Sequence, residues 1–337
     1  MAASKNMMSL RRVLRKSSVI TIIFGLFFSS IFCNCSVEDV HSQSVLVYAD
    51  TVRPHYYTPQ IPQSYMVFGE HVDLTNYYLR ERFDRELMSF CYWHSQVLLI
   101  IKRANKFFPI IEPILKEEGV PDDFKYLAVI ESSLDQRALS PAKAAGIWQI
   151  LATTGQENGL IVNEDVDERY NLEKATIVAC RYLRRTYELT GSWALSAASY
   201  NSGRARVLKQ IDVQQTNDYF DMLFGEETNR YVFRIMLAKF VMEHPQDFGF
   251  ILKKEDLYRK VETDRIRVDT TINNLTSFAK EYGVSYMLLK DANPWLRTNK
   301  LVNKERREFF IDMPKCESLR YDAEKIQVSN ENWVINP

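Results

Sequence analysis

Cysteine, histidine and net charge are all scarce in this chain, and each scarcity narrows the function. There are five cysteines in 337 residues. Two lie in the first 35 residues, and the other three, Cys91, Cys180 and Cys316, form an odd set without metal-ligand spacing. Cys91 and Cys180 fall in helix-like apolar patterns, so buried thiols are expected, with one disulfide allowed but not indicated. The five histidines (41, 55, 71, 94 and 244) are scattered, and none forms the His-x-x-x-His pair of a zinc hydrolase. A Gly-rich phosphate loop and a Gly-x-Ser-x-Gly elbow are also missing. No metal and no cofactor is therefore expected. The formal charge is zero, with 43 basic and 43 acidic residues. Five of the cations, Lys5, Arg11, Arg12, Arg15 and Lys16, precede residue 35, where there is no acid. Without them 38 basic groups face 43 acidic ones, a net of −5. A mildly acidic protein lacks the clustered cations that grip phosphates, so nucleic acid is not an expected partner.

What is present begins with an export pattern. The basic stretch leads into the apolar run Val19–Phe28, and small residues follow at Ser29, Ser30, Cys33 and Cys35. The run is short for a spanning helix. Residues 1–35 are read as a signal peptide or a membrane or lipid anchor, so membrane association would go through this segment. Residues 36–78, with Pro54, Pro59 and Pro62 among polar residues, read as a linker.

Helical periodicity starts near Leu79 and dominates 79–255. Leu87, Phe90, Cys91, His94 and Leu98 share one face. Phe108, Ile111 and Leu115 follow, with Pro109 and Pro113 setting bends or a first turn, and Gly119-Val120-Pro121 breaks the pattern. Asp122 and Asp123 suit the first turn of the next helix. Residues 133–168 are turn-rich, and helices are expected at Leu172–Glu188, Trp193–Tyr200 and Glu227–Met242. Over 262–316 the order is strand, helix, helix, strand, a small separate module, and 317–337 is a tail. The fold class expected is mainly α, with the βααβ module at its C-terminal side.

Glu131 carries the chemistry of this reading. Phe124, Leu127 and Ala128 form an apolar stripe at i, i+3 and i+4, and Glu131 takes the place at i+7. A carboxyl group facing a core loses hydration, which raises its pKa and keeps its proton near neutral pH, the state of a general acid. A Glu that reaches solvent at a fraying helix end is the alternative.

Downstream stand Ala138-Leu139-Ser140-Pro141, Gly146-Ile147-Trp148-Gln149-Ile150, Thr154-Gly155, Gly159-Leu160, Val166-Asp167-Glu168-Arg169 and Ala198-Ser199-Tyr200-Asn201-Ser202-Gly203. Together with Phe68-Gly69-Glu70 and Glu227-Thr228…Tyr231-Val232, their order resembles the lytic transglycosylases of the lysozyme-like, soluble lytic transglycosylase superfamily, over about half of the chain. The resemblance implies a lysozyme-like α+β catalytic domain and peptidoglycan glycan strands as partner. It implies cleavage of the β-1,4 bond between N-acetylmuramic acid and N-acetylglucosamine, with a 1,6-anhydro product. It makes Glu131 the single catalytic acid and base, and Ser140, Trp148, Gln149, Tyr200, Asn201 and Tyr231 substrate-binding residues. Tyr200 would hydrogen-bond Glu131. Residue by residue, plainer roles stand beside these: Trp148 as core, Tyr200 as a core ring with a wet hydroxyl, Ser140 as a turn residue, Asp167 and Arg169 as a structural pair, and 164–168 as a solvated loop. Asp122 and Asp135 are the acids nearest in sequence for a second carboxylate, with surface placement the default.

Four departures from the family pattern are visible. Lys143 stands for a Gly, Ala152 for a Pro, Ser199 for an Ala, and Arg204-Ala205 for Pro-Gly. Lys143 and Arg204 would add charge near the groove. The module resembles a LysM domain through Thr270-Thr271, Leu275, Phe278-Ala279, Tyr282-Gly283-Val284, Asn293-Pro294 and Phe310–Pro314. Its opening Gly-Asp-Thr-Leu is altered to Val268-Asp269-Thr270-Thr271. Binding to N-acetylglucosamine chains and a purely structural cap are both open. A lysozyme-type hydrolase and a non-catalytic peptidoglycan-binding protein are the alternative functions, and the sequence points to no protein partner.

Overall fold

The computed structural model describes residues 57–335, so the expected leader at 1–35 lies outside the described residues. Residues 64–73, read from sequence as linker, are a hairpin instead. β1 (Ser64–Val67) pairs antiparallel with β2 (Glu70–Asp73) through Phe68 and Gly69, both at positive φ. A type I′ two-residue turn needs that backbone at both positions, and Gly69 adopts it freely. Val67, Phe68, Val72 and Leu74 enter the main core, and Phe68 stacks on Phe124 at 4.3 Å.

The hairpin also completes a helix start. Glu70 Oε1 accepts from the backbone N–H groups of Trp193 (2.6 Å) and Ala194 (3.2 Å), while the Ser192 hydroxyl donates to the same carboxylate. Four N–H groups at a helix start have no partner within the helix, and a carboxylate there also meets the positive end of the helix dipole. The Phe68-Gly69-Glu70 motif thereby fixes the entry of the most enclosed helix of the domain.

α1 (Tyr77–Cys91) is capped by Asn76, whose side chain accepts from Tyr78 and Leu79. α2 (His94–Glu117) runs through Pro109 and Pro113 without dividing. Each proline removes one backbone bond. The stripe Val97, Ile100, Ile101, Ala104, Phe108, Ile111 and Leu115 is buried on both sides of them, and that continuous burial outweighs the two lost bonds. α3 (Lys125–Ser132) is short and ends where Ser133 and Leu134 both turn left-handed. After α4 (Ala152–Glu157) come α5 (Leu172–Thr190), capped by Asn171, and α6 (Trp193–Ser202). α6 buries Ala194, Leu195, Ala197 and Ala198, small enough to let α5, α7 (Arg204–Gln214) and α8 (Glu226–Glu243) approach it. α7 follows Gly203 directly, where the sequence reading ended a helix and began no other.

The C-terminal module has the expected order. β3 (Thr263–Val268) pairs antiparallel with β4 (Phe309–Pro314), with α9 (Leu275–Glu281) and α10 (Tyr286–Ala292) between them. The module does not stand apart, however. Its core includes Ala145, Val166 and Tyr170 from the turn-rich stretch of the helical domain. Asp167 N donates to Trp295 O at 2.9 Å and Arg297 N to Asp165 O at 2.8 Å, and the Arg297 guanidinium lies 4.1 Å over the Tyr170 ring. Arg265 reaches Glu173 with two bonds of 2.8 and 2.9 Å.

The segment 317–335, read as a tail, returns to the helical domain. Trp333 is buried and donates from Nε1 to Met242 O at 2.7 Å. Ile326 and Val334 join the same core, and Asn105 of α2 bonds Gln327 and Ser329.

Candidate active site

α3 delivers Glu131 one residue before its end. The apolar stripe that argued for burial is in place: Phe124, Leu127 and Ala128 are completely buried. Glu131 itself is half-buried, at the edge of that stripe rather than inside it. Burial pushes its carboxyl group up from 4.5 to about 7. The Tyr231 hydrogen bond and the Arg234 charge oppose that shift, and the Glu227 charge adds to it. A carboxyl group in such surroundings holds its proton near neutrality.

The hydroxyl that serves Glu131 is that of Tyr231. It comes from α8 and donates to Glu131 Oε1 in a short bond. The Tyr200 hydroxyl, expected in this role, donates instead to Trp148 O at 2.7 Å. Tyr200 still lies close enough to Glu131 to feel its charge, which together with burial raises the pKa of both phenols well above 10. Both phenols are therefore neutral donors over the range in which Glu131 titrates.

Trp148 is not a sugar platform. Its side chain has no exposed surface, and Nε1 donates to Thr176 Oγ1 at 2.8 Å. Its contribution is the carbonyl that holds Tyr200. Gln149 sits at φ 47° in the loop, and its amide nitrogen donates to Gly146 O at 2.8 Å. Ser140 Oγ accepts from Ala144 N at 3.1 Å, which closes the turn after Pro141. Asn201 Oδ1 accepts from Thr228 Oγ1 at 2.8 Å and ties α6 to α8 beside the site. Asp122 pairs with Lys125 at 2.6 Å, and Asp135 caps Arg137 N at 2.9 Å. Neither is in contact with Glu131. Among the described residues no cluster of three His, Cys, Asp or Glu side chains could hold a metal.

The loop that carries Ser140 and Gln149 is held from behind. Arg169 forms a buried pair with Asp167 (2.6 and 2.9 Å) and donates to Lys143 O at 2.7 Å and Ile150 O at 3.1 Å. Gly146, at φ +75°, packs so closely that a Cβ would lie 2.2 Å from Arg169 O. The run 164–168 is thus only partly a solvated loop. Val166, Asp167 and Glu168 are buried, and Glu168 accepts from Ile161 N at 2.8 Å. Ser132, not singled out from sequence, donates to Ile147 O at 2.8 Å and pins the end of α3 to this loop. The two substituted positions behave differently from the expectation that both add charge at the groove. Lys143 is exposed at φ 63°, a left-handed position that suits glycine. Arg204 stacks 4.9 Å from the Tyr182 ring and donates to Thr186 Oγ1 at 3.0 Å, so its charge is absorbed within the fold.

A groove of about 640 Å³ runs beside the end of α3. Val129, Ile130 and Ser133 line one side, and Glu227, Arg230, Arg234 and Leu237 of α8 another. Trp93, which is 53% exposed, lines the mouth between α1 and α2. Arg234 and Trp93 were missed from sequence. Arg234 was findable, since it lies one turn beyond Tyr231 on the same helix. Trp93 had no periodic signal, because it falls in the break between two helices.

Replacing Tyr231 by Phe removes the hydrogen bond donated to Glu131 Oε1. That bond favours the carboxylate, so its loss should move the carboxyl pKa further up. The expected result is a rate about tenfold or more lower, with the alkaline limb of the pH–rate profile displaced upward. A pH–rate profile of the purified variant reads both effects.

Residues 108–223 match the Transglycosylase SLT domain family, and residues 264–317 match the Soluble lytic transglycosylase C-terminal LysM-like domain. The chain carries both domains. It is 28% identical over 228 residues to membrane-bound lytic murein transglycosylase D of Escherichia coli strain K12, across 66% of this chain and 49% of that protein. The same values hold for the protein of that name from Escherichia coli strain CFT073. The chain thus spans about half the length of the curated relatives it matches. Glu131, Ser140, Trp148, Gln149, Tyr200 and Asn201 fall inside the SLT match, while Tyr231 lies beyond its end.

Proposed function

We propose that this protein is a peptidoglycan lytic transglycosylase that cleaves the β-1,4 bond between N-acetylmuramic acid and N-acetylglucosamine and leaves a 1,6-anhydro end. The observation that carries this reading is one carboxyl group, Glu131, held near pKa 7 and fixed by a neutral phenol. Ordinary glycosidases divide the work between two carboxyl groups. Here no second acid touches the first among the described residues. One group must then act twice. Tyr231 donates to Oε1, which leaves the carboxyl proton to Oε2, and Oε2 would pass it to the leaving glycosidic oxygen. The resulting carboxylate would next take the proton of the sugar's own 6-hydroxyl as that oxygen closes on the anomeric carbon. Proximity within one sugar ring replaces a bound water. The acetamido group of the same sugar would stabilise the charge that develops between the two steps.

The supporting side chains act mainly by holding shape. Tyr200 is fixed on Trp148 O, Gln149 on Gly146 O, and Asn201 on Thr228. Ser140, Gln149, Tyr200 and Asn201 are neutral donor–acceptors suited to an uncharged glycan. The C-terminal module, docked on the 161–170 stretch, would extend the glycan contact. Export to the cell envelope by the N-terminal segment completes the reading. No helix among the described residues is long and apolar enough to cross a membrane. The test is digestion of purified peptidoglycan with mass analysis of the fragments. Ends lighter by one water, the anhydro products, are expected. Reducing ends would make the protein a hydrolase and sink the transglycosylase reading.

A further inference from the structure

Two arginines of α8 face the groove beside Glu131, and their situations differ. Arg230 is occupied, since it donates to both oxygens of the buried Glu86 at 2.6 and 3.2 Å. Arg234 makes no hydrogen bond and no ion pair among the described residues. Glu226 at the groove rim is taken up by Arg85 and Arg230 at 3.8 and 3.9 Å. The unpaired acid, Glu227, is exposed and sits seven residues earlier on α8, about 10 Å away along the helix axis. It does not neutralise Arg234. A half-buried guanidinium without a partner costs desolvation that the fold does not recover. Val129, Ile130 and Leu237 line the same groove. Near the catalytic carboxyl its charge even works against the raised pKa.

A neutral glycan has no use for a cation at this position. The peptides that substitute muramic acid do, because they carry free carboxylates. We propose that this groove is a carboxylate-binding subsite in which Arg234 engages the peptide borne by the muramic acid next to the cleaved bond. Resting on the transglycosylase reading for the identity of the strand, the subsite makes peptide-bearing strands the preferred substrate. The planar fork of Arg234 pairs bidentately with a carboxylate, and Trp93 at the mouth offers an exposed face for the adjoining sugar or peptide. Lys143, expected to add charge near the groove, is not among the residues that line it.

The test compares binding to two preparations of soluble peptide-bearing glycan strands, one with its peptide carboxylates free and one with them capped as amides. Binding is measured in the Glu131→Gln protein, so that turnover does not consume the ligand. Strands with free carboxylates should bind about tenfold tighter than capped ones at low salt. Adding Arg234→Gln should remove that preference, and Arg234→Lys should restore part of it, because Lys keeps the charge but not the fork. Equal binding of the two strands by the parent, or a preference that survives Arg234→Gln, overturns the subsite. Should the preference be found in a protein that shows no lytic activity with Glu131 intact, the subsite stands and the transglycosylase reading falls.

Discussion

Glu131→Gln should stop lysis and make the protein more stable at the same time. Gln has neither the proton to give nor the carboxylate to take one back, so release of fragments from purified peptidoglycan should fall about a thousandfold or more. Stability follows from the pKa. The folded state holds Glu131 near 7, while an unfolded chain returns it to 4.5. Between those values the folded state binds the proton more tightly, so folding loses stability as pH rises from 4.5 to about 7 and stays lower above it. A shift of this size corresponds to about 3 kcal/mol at pH 8. Gln carries no such penalty. The variant should melt several degrees above the parent at pH 8, and the gain should vanish near pH 4. Thermal denaturation at the two pH values checks this. A gain of equal size at pH 4 would mean that packing, not the buried charge, is responsible. The wild-type activity should follow the same group: as the acid in the first step, Glu131 must be protonated, so the rate should fall as pH rises through about 7.

Much of this site could be read from sequence, and what could not has physical causes. Glu131 was legible because helical periodicity marks which positions meet a core, and a carboxylate at such a position stands out. The partner of its carboxyl group was not. Tyr231 lies 100 residues away, and sequence order says nothing about which of two phenols reaches a given oxygen. Trp148 fits both a core ring and a sugar platform by residue type, and only its lack of exposed surface decides between them. The hairpin at 64–73 was hidden because each strand has four residues, too few for alternation to show. α7 was hidden by its own polarity. It buries Val207 alone, so its pattern carries little apolar signal.

The docking of the module is the least legible feature. Val166 and Asp167 are covered by residues more than 120 positions away, through backbone pairings that any sequence could make. Two domains that match separate families here share a core. The loop that positions Ser140 and Gln149 is held by Arg169, Arg169 by Asp167, and the backbone of Asp167 by Trp295 of the module. Geometry at the site is thereby linked to the module by contiguous bonds.

Trp333→Ala should cost about 3–5 kcal/mol, which is a large share of what a domain of this kind has to lose. Trp333 is 1% exposed, and its ring packs 5.9 Å from Phe108 in the middle of α2. Removing the indole leaves a cavity and strands Met242 O, the acceptor at the end of α8. That cost falls on the helix that carries Tyr231. The segment also forms the chain's return from the module: Ile335 N donates to Leu252 O at 2.9 Å, and Gln246 Nε2 to Val334 O at 3.1 Å. Ending the chain after residue 316 removes these bonds together with Ile326, Val334 and two of the three partners of Asn105, Gln327 and Ser329, so it should destabilise more than Trp333→Ala does. Chemical denaturation of both variants, followed by helical circular dichroism, gives the order. A truncated chain as stable as the parent would show that the last segment merely lies on the surface. The helical domain would then be complete without it, and its buried tryptophan would need another explanation.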